Sequence, residues 1–255
     1  MDDHSCVMEA LRLAGSVILE NGGETYRVED TVDRLGRALG AVDVQSFSVP
    51  SGMFITVSFP DGTSQTKIYR AHGRGTHLKK VDDVNRISRL AAAGSVSPEQ
   101  ALDALRKIHA DGPAFHPAWR LFANAASSAG FAAMFGGSWL DLLFAFLSGI
   151  FIQLLLDAID RCGASRVIQS AAGGALCTLL PLLFNHFTGF GLVDAITGGL
   201  LMPLVPGLAM TNAVQDAMRG DVLSGVGHGM QAVLTAVLVA GGSVVASRAV
   251  WTLLM

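Results

Sequence analysis

The chain has 255 residues, of which 51% are hydrophobic and 15% are charged, and its mean hydropathy is +0.45. Its formal net charge is −3 and no stripe of Lys or Arg occurs, which argues against a nucleic-acid partner. Of the 39 charged residues, 28 precede residue 119. Because the remaining stretch avoids charge over helix-length runs, it is adapted to lipid rather than to water. The sequence therefore predicts an α+β domain over residues 1–118, followed by an all-α polytopic membrane domain over residues 119–255.

The amino terminus and the cysteines narrow the class of protein further. The chain begins with Met1-Asp2-Asp3-His4 and lacks the apolar stretch of a signal peptide, so we expect the first domain to lie in the cytoplasm. The three cysteines, Cys6, Cys162 and Cys177, have no CxxC spacing, which argues against a disulfide framework and against a zinc site. We therefore predict neither a metal nor a cofactor.

The first domain begins with two predicted helices. Apolar residues recur at helical spacing over residues 6–21, and the pair Gly22-Gly23 ends that helix. A second helix follows at Tyr26–Leu39 and ends at Gly40. Thr25 is the expected cap of this second helix.

From residue 42 onward the apolar period changes to two. Alternation over residues 53–59, a Pro60-Asp61-Gly62 turn and a return over Thr63–Tyr69 predict a hairpin, with Phe47–Val49 as a third strand before Pro50. Helices are predicted again at Lys79–Ala92 and Pro98–His109. Ser97, followed by Gln100 three residues later, opens the last of them as a capping box. The predicted element order is therefore α-α-β-β-α-α, with the additional strand at the start of the sheet.

Charged residues on the second helix allow two interpretations. Arg27, Glu29, Asp30 and Arg34 have helical spacing and are compatible with a substrate-binding cluster, but an ordinary surface with Asp30 paired to Arg34 is the favoured interpretation. The domain carries no motif of a nucleophile with its base, no phosphate-binding loop and no dinucleotide fingerprint. Its histidines, which are interpreted as loop or helix-end residues without metal-ligand spacing, are His72, His77 and His109.

The second half contains five apolar segments that each approach the length of a bilayer crossing. They lie at about Trp119–Phe135, Trp139–Ala158, Val167–Phe184, Phe190–Met210 and Val222–Leu254. Trp119, Trp139 and Trp251 fall at segment ends, where interfacial aromatic residues are expected. Repeated small residues, such as Ala171-Ala172-Gly173-Gly174, indicate closely packed helices rather than simple anchors.

Arginines predict the orientation of these segments. With the amino terminus inside, Arg161, Arg166 and Arg219 all lie in inner loops, and the outer loops carry no Lys or Arg. Arg248, near the outer end of the last segment, is the exception and is expected to snorkel outward. The sequence therefore predicts a multi-pass protein of the inner membrane. Its five spans would place the carboxyl terminus on the outer side.

The sharpest local feature is a proline-rich break in the fourth segment. Pro203 and Pro206 each remove a backbone donor, and Gly207 follows, so a helix here is expected to be broken within the membrane. Such breaks expose backbone groups that transporters use to hold polar solutes. Thr211, Asn212 and Asp216 then follow as a polar lining. The alternative, equally weighted, is a structural kink capped by Thr211 and Asn212, with Asp216 at the cytoplasmic interface.

The second half also contains other aspartates and two histidines. Asp194 lies in an apolar segment and is a candidate proton carrier or solute contact, or else a residue near the outer surface. Asp141 is expected to be structural. His186 and His228 are interpreted as loop and interface residues.

Separated stretches of the chain resemble the threonine/serine exporter family. These stretches are Gly22–Val32 (GGETYRVEDTV), the strand entry from Phe47 to Pro50-Ser51-Gly52, Leu78–Arg89 and Leu204–Asp221 (LVPGLAMTNAVQDAMRGD). The resemblance covers the chain from about Leu11 and identifies it with the split type of the family. It implies a cytoplasmic α+β domain joined to five spans, with a second polytopic half supplied by a separate small membrane protein.

The same resemblance implies proton-motive-force-dependent export of a small polar metabolite, either threonine and serine or a dicarboxylate such as succinate. The positions that it carries over in the membrane half are Pro206, Gly207, Thr211, Asn212, Asp216 and Asp221. In the first domain the matching motif contains Glu24, Arg27, Glu29 and Asp30. Gln215 departs from the family pattern, in which an Arg is expected before the Asp.

Three functions remain open at this point. The favoured function is a subunit of a secondary transporter, and we predict that the chain is not an enzyme. Its expected partners are lipid, a small polar solute and the second subunit. Other copies of the chain are a further option. A membrane-anchored hydrolase lacks a nucleophile motif and would need only one anchor. A regulatory scaffold for another membrane protein is the third.

Overall fold

The computed structural model describes residues 3–71, 75–112 and 115–254, so the predicted role of His72 lies outside the described residues. The chain forms two compact units. The first comprises Met1–Ala114 and Leu208–Met230, and the second comprises Phe115–Gly207 and Gln231–Met255. The first unit therefore contains most of the stretch predicted as the α+β domain, up to residue 114 rather than 118, and a later stretch that the sequence assigns to the membrane region.

The described residues form helices and one three-stranded sheet in the following order. The elements are α1 (Asp3–Glu20), α2 (Thr25–Ala38), β1 (Asp43–Val49), β2 (Gly52–Ser58), β3 (Ser64–Arg70), α3 (Leu78–Ala92), α4 (Pro98–Ala110), α5 (Pro117–Met134), α6 (Trp139–Arg161), α7 (Arg166–Thr188), α8 (Val193–Leu201), a 3₁₀ turn (Met202–Leu204), α9 (Gly207–Met218) and α10 (Val222–Leu254). The predicted order of elements in the first domain is confirmed, including the third strand.

The core of the first unit is built around α1. Its apolar residues, among them Met8, Leu11 and Ile18, are fully buried because α2, α4 and the sheet all pack on this helix. The sheet is antiparallel in the order β1-β2-β3. Met53, Ile55 and Val57 of β2 face the core, as a period of two requires. The capping box of Ser97 and Gln100 is present at α4.

One capping prediction is wrong. The N-cap of α2 is Glu24, whose side chain makes no capping hydrogen bond, and Thr25 is the first residue of the helix. The Thr25 side chain is buried and donates instead to Asp221, 2.9 Å away. The local capping rule fails here because the Thr25 hydroxyl donates to Asp221, which lies 196 residues later in the chain.

Close backbone approach holds the second unit together. A Cβ on Gly149 would lie 3.2 Å from the Cα of Ala125, and a Cβ on Gly199 would meet the backbone of Ser128 and Ala132. These glycines therefore let α6 and α8 approach α5 closely, as small residues do between membrane helices.

Three helices are long and apolar enough to cross a membrane: Trp139–Arg161, Arg166–Thr188 and Val222–Thr252. A fourth crossing results if the interrupted pair Val193–Leu204 and Gly207–Met218 is one span. The helix Pro117–Met134, predicted as the first span, is 18 residues long but is not among these candidates. The described residues thus give three or four candidate spans, and a fifth remains a prediction.

Candidate functional site

The central feature of the first unit is a buried carboxylate on α9. Asp216 is fully buried, and one of its oxygens lies 2.9 Å from Nδ1 of His228 on α10. The His228 side chain is 12% exposed. The second oxygen, Oδ1, has no hydrogen-bond partner among the described residues. A buried carboxylate oxygen without a partner is costly, which makes this pair a candidate for proton or solute binding.

Asp221 links the start of α10 to α2. Its Oδ1 accepts the backbone N–H of Ser224 at 3.1 Å, which is the geometry of an N-cap. Its Oδ2 accepts the hydroxyl of Thr25. Burial alone would raise the pKa of Asp221, but the hydrogen bonds from Ser224 and Thr25 outweigh burial and hold that pKa below its ordinary value. Asp221 is therefore an anionic anchor.

Glu29 brings a third carboxylate to this region. It lies one helical turn after Thr25 on α2, and its Oε1 accepts the backbone N–H of Ser48 at 2.7 Å. The Ser48 carbonyl in turn accepts the hydroxyl of Ser224 at 3.4 Å. Burial raises the pKa of Glu29, and the charges of Asp221 and Asp216 raise it further, against the opposing hydrogen bond from Ser48. We call Glu29, Asp216, Asp221 and His228 the carboxylate cluster.

Neighbouring contacts fix α9 and the start of α10 against the first domain. The side-chain amide of Asn212 donates to the carbonyl of Gly22 at 3.3 Å. The guanidinium of Arg219 lies 3.6 Å from the ring centroid of Tyr26, a cation–π distance. Asn212 and Asp216 share a buried helical face, whereas Thr211 is exposed and lies outside it.

The structure supports the surface interpretation for most of the charged motif on α2. Arg27 pairs with Glu24 at 2.7 Å, and Arg34 pairs with Asp30, as expected for neighbours on a helix. Glu29 differs from them because its carboxylate accepts the backbone N–H of Ser48 and pairs with neither arginine.

The remaining predicted site residues belong to the second unit. The helix breaks after Met202–Leu204, where Val205 adopts an extended conformation before Pro206 and Gly207, so the predicted interruption is present. Asp194 lies exposed in the first turn of α8. Asp141 is buried and accepts hydrogen bonds from Ser138 and from the backbone N–H of Leu192, which confirms its structural role.

His228, predicted as an interface residue, has its ring in the contact between α9 and α10, where Nδ1 lies 2.9 Å from a carboxylate oxygen of Asp216. Two serines of this region were not predicted. Ser48 and Ser224 carry no sequence signal of their own. The spacing of Asp221 and Ser224 as a helix cap was the one local clue. Among the residues that the structure describes, no group of His, Cys, Asp or Glu has the arrangement of a metal site.

Comparison with known proteins gives a consistent set of relatives. The chain is 26% identical to a "Probable threonine/serine exporter" of Mycobacterium tuberculosis over 91% of its own length and 44% of that protein. It is 28% identical to the "Probable succinate transporter subunit YjjP" of Escherichia coli, over 83% of this chain and 82% of that protein. A "Threonine/serine exporter" of Corynebacterium glutamicum is 22% identical over 86% of this chain and 47% of that protein.

The chain thus spans less than half of two of these relatives and most of the third. All three are named as exporters or transporter subunits and none as an enzyme. No solved structure matches the chain. Residues 9–250 match the ThrE family, described as "Putative threonine/serine exporter". With its membrane-length helices, the chain is a membrane protein that belongs to the threonine/serine exporter family.

Proposed function

We propose that this chain is one subunit of a secondary exporter of small polar metabolites, driven by the proton motive force. The observation that carries the proposal is the buried Asp216, paired with His228 on one oxygen and unpartnered on the other. A carboxylate and an imidazole in contact can take up and release a proton, because the charge of each depends on the state of the other. The proposed solute is either a threonine/serine-type amino acid or a dicarboxylate such as succinate. Both classes come from the names of the relatives.

The proposed arrangement in the cell follows the arginine pattern of the sequence. Residues 1–118 form a cytoplasmic domain, and residues 119–255 cross the inner membrane five times, with α5 as the first span and the carboxyl terminus outside. A reporter fused after Met255 is then external and one inserted at Asp111 is internal. A cytoplasmic carboxyl terminus contradicts the count of five.

A second small polytopic membrane protein completes the proposed exporter. The support is the name of the E. coli relative, which is a transporter subunit and matches this chain over most of its length. Affinity purification from a native membrane should recover such a protein, and the chain alone should export little. Full export by the chain alone would replace the partner with other copies of the same chain.

The test of proton coupling is the variant Asp216→Asn. The purified exporter, reconstituted with its partner, is loaded with labelled serine, threonine or succinate, and efflux is measured with and without an imposed pH gradient. Asparagine keeps the shape of the side chain and removes its titration, so insertion should be normal while gradient-driven efflux falls to the level of empty vesicles.

A matched control separates this effect from a general loss of charge. Asp103→Asn removes an exposed carboxylate of α4 whose described partner is Arg106, 3.4 Å away on the same helix. This variant should export like the wild type. If Asp216→Asn retains gradient-driven efflux, Asp216 is an interfacial residue, and Asp194 becomes the carboxylate to replace next.

A further inference from the structure

The Asp216–His228 pair has little direct contact with water. Asp216 is fully buried, and the His228 side chain is 12% exposed. A proton reaches or leaves such a pair only through groups that can take it up and pass it on, because an isolated charge inside a protein is strongly disfavoured. The pair therefore needs a neighbouring group that is both titratable and in contact with water.

Asp221, the carboxylate that begins α10, is unsuited to this role. Its Oδ1 accepts the backbone N–H of Ser224 and its Oδ2 accepts the hydroxyl of Thr25, so both oxygens are occupied. Burial alone would raise the pKa of Asp221, but these hydrogen bonds outweigh burial and hold that pKa below its ordinary value. A carboxylate held in this way stays anionic and does not exchange a proton near neutral pH.

Glu29 has the properties that Asp221 lacks. Its side chain is partly exposed, and its Oε1 accepts the backbone N–H of Ser48 at 2.7 Å. Within the described ranges its other carboxylate oxygen has no hydrogen-bond partner, which leaves that oxygen free to take up a proton. Burial raises the pKa of Glu29, and the charges of Asp221 and Asp216 raise it further. Glu29 can therefore hold a proton and exchange it with water.

The charges that act on Glu29 come from α9 and from the turn before α10. They are those of Asp221 and Asp216, and His228 is paired with Asp216. The elements packed against α2 are α1, β1 and α3, and charged residues on them have partners of their own. These pairs are Glu9 with Arg12 on α1, Asp43 of β1 with Arg37, and Asp83 of α3 with Lys79 and Arg86. Glu29 therefore responds to the charge of the Asp216–His228 pair rather than to a nearby cation.

Ser48 connects Glu29 to the start of α10. Its backbone N–H donates to Glu29, and its carbonyl accepts the hydroxyl of Ser224 at 3.4 Å. Its own side chain is fully buried, yet among the described residues its hydroxyl oxygen has no hydrogen-bond partner, as is also true of Oδ1 of Asp216. Buried polar atoms without partners are rare, and two in one cluster indicate a functional arrangement. A hydroxyl can accept one proton while it donates another, as a proton relay requires.

We propose that Glu29 and the Ser48 hydroxyl form the proton path between the Asp216–His228 pair and the water of the cytoplasm. This inference rests on the proposed export function. During export, the pair releases its proton toward Ser48, the hydroxyl gives up one proton as it accepts another, and the free oxygen of Glu29 receives it. Protonated Glu29 then loses the proton to water and returns to its carboxylate. The first domain is thereby a working part of proton coupling and not only a support.

Two transport measurements separate this role from a structural one. The exporter, reconstituted with its partner, is assayed for gradient-driven efflux of labelled serine, threonine or succinate. It is also assayed for exchange of labelled for unlabelled solute at equal pH on both sides. Exchange needs no net movement of protons, whereas gradient-driven efflux does. A defect in folding or in solute binding therefore lowers both rates, and a defect in the proton path lowers only efflux.

Glu29→Gln keeps an acceptor for the Ser48 N–H and removes the carboxylate that exchanges the proton. Gradient-driven efflux should fall about tenfold or more, and its dependence on pH on the side of the first domain should flatten between about pH 5 and pH 8, while exchange keeps the wild-type rate. Asp33→Asn is the matched control, because Asp33 is an exposed carboxylate of the same helix that pairs with Arg37. It should leave both rates unchanged.

Ser48→Ala tests the relay through two readouts that a structural role would not separate. Removing a buried hydroxyl that has no partner should not lower the unfolding temperature, whereas gradient-driven efflux should fall. Ser88→Ala is the matched control, since the Ser88 hydroxyl on α3 is also buried and has no partner among the described residues. This variant should keep wild-type efflux.

Three results would overturn the proton path. Wild-type efflux and pH dependence in Glu29→Gln would mean that His228 exchanges protons with water directly. An equal fall of efflux and exchange in Glu29→Gln would make Glu29 a structural residue. Efflux in Ser48→Ala equal to that in Ser88→Ala would remove the hydroxyl from the path. The proposed export function fails on a different result, which is gradient-driven efflux retained by Asp216→Asn.

Discussion

The carboxylate cluster of the first unit and the contact between α5 and α6 in the second unit are built from different groups. In the cluster, the carboxylates of Glu29 and Asp221 accept hydrogen bonds, and among the described residues Oδ1 of Asp216 has no partner. Between α5 and α6, the guanidinium of Arg120 pairs with Asp157 at 3.3 Å. The cluster therefore gathers several carboxylates in one place, whereas the two charges between α5 and α6 neutralise each other.

The two regions also differ in how they are built. The carboxylate cluster joins elements far apart in sequence, since α2 and β1 meet residues of α9 and α10. The contact between α5 and α6 joins two helices that are consecutive in the chain. Substitutions should therefore disturb the cluster through long-range contacts and the second unit through helix packing.

The largest effect is expected from a side chain added at Gly174 in α7. A Cβ at this position would collide with the backbone carbonyl of Val239 in α10, and backbone cannot move aside as a flexible side chain can. Gly174→Val should destabilise the second unit by about 3 kcal/mol or more, as overpacking does. The measurement is the yield of monodisperse protein and its thermal unfolding in detergent.

Gly130→Val in α5 is the matched control for that substitution. A Cβ on Gly130 meets nothing within 4 Å, so this variant should unfold near the wild-type temperature. Equal behaviour of the two variants would show that close approach of α7 and α10 does not hold the second unit together.

The next effect concerns the Asp216–His228 pair. His228→Gln leaves Asp216 buried with a weaker partner, and breaking a buried pair costs about 3–5 kcal/mol at most. The double variant His228→Gln with Asp216→Asn removes the uncompensated charge and should be more stable than His228→Gln alone. Chemical unfolding of all four proteins gives the coupling free energy. Strictly additive effects would mean that the 2.9 Å contact contributes nothing.

A smaller effect is expected at Thr25, for which the same helix offers a control. Thr25→Val removes the hydroxyl that Asp221 accepts and should lower the free energy of unfolding by about 1.5–3 kcal/mol, as for hydrogen bonds to charged groups. Thr31 is also buried on α2, but its hydroxyl has no partner among the described residues. Thr31→Val should be neutral or stabilising. A similar loss in both variants would assign the effect to helix propensity rather than to Asp221.

The sequence predicts features that depend on neighbouring residues better than features that depend on residues far apart in the chain. Alternation in β2, the glycine stop at Gly22 and the capping box at Ser97 are local patterns, and the structure confirms each of them. The role of Thr25 was mispredicted because its partner Asp221 is remote in sequence. The pairing of His228 with Asp216 was not predicted for another reason, because a lone histidine in an apolar helix carries no sign of the aspartate that faces it.

The polar contacts between α5 and α6 could not be predicted from the sequence. Arg120 and Asn124 lie in the first apolar segment, Asp157 lies in the second, and neither segment alone indicates which residue of the other it faces. The helix break at Pro206 was predictable because proline acts on its own backbone.

The smallest predicted effect is the pH dependence that Glu29 contributes to the stability of the first unit. Its pKa is raised above the ordinary value of 4.5, first by burial and then by the charges of Asp221 and Asp216. The stability associated with protonated Glu29 is therefore fully present below about pH 4.5 and is lost as pH rises through the folded-state pKa. Glu29→Gln keeps an acceptor for the Ser48 N–H and removes the titration, so its unfolding temperature should fall less than that of the wild type across this window.

Glu9 in α1 supplies the comparison of opposite sign. The hydrogen bond from Arg12 and the nearby Lys67 lower the pKa of Glu9 to about 2, despite partial burial. Its stabilising contribution is present above about pH 4.5 and is lost as pH falls toward 2. Thermal unfolding from pH 3 to pH 7 should therefore show Glu9→Gln flattening the acidic limb and Glu29→Gln flattening the limb above about pH 4.5. If Glu29→Gln instead steepens the loss of stability with rising pH, burial and the charges of Asp221 and Asp216 do not raise the pKa of Glu29 in the folded protein.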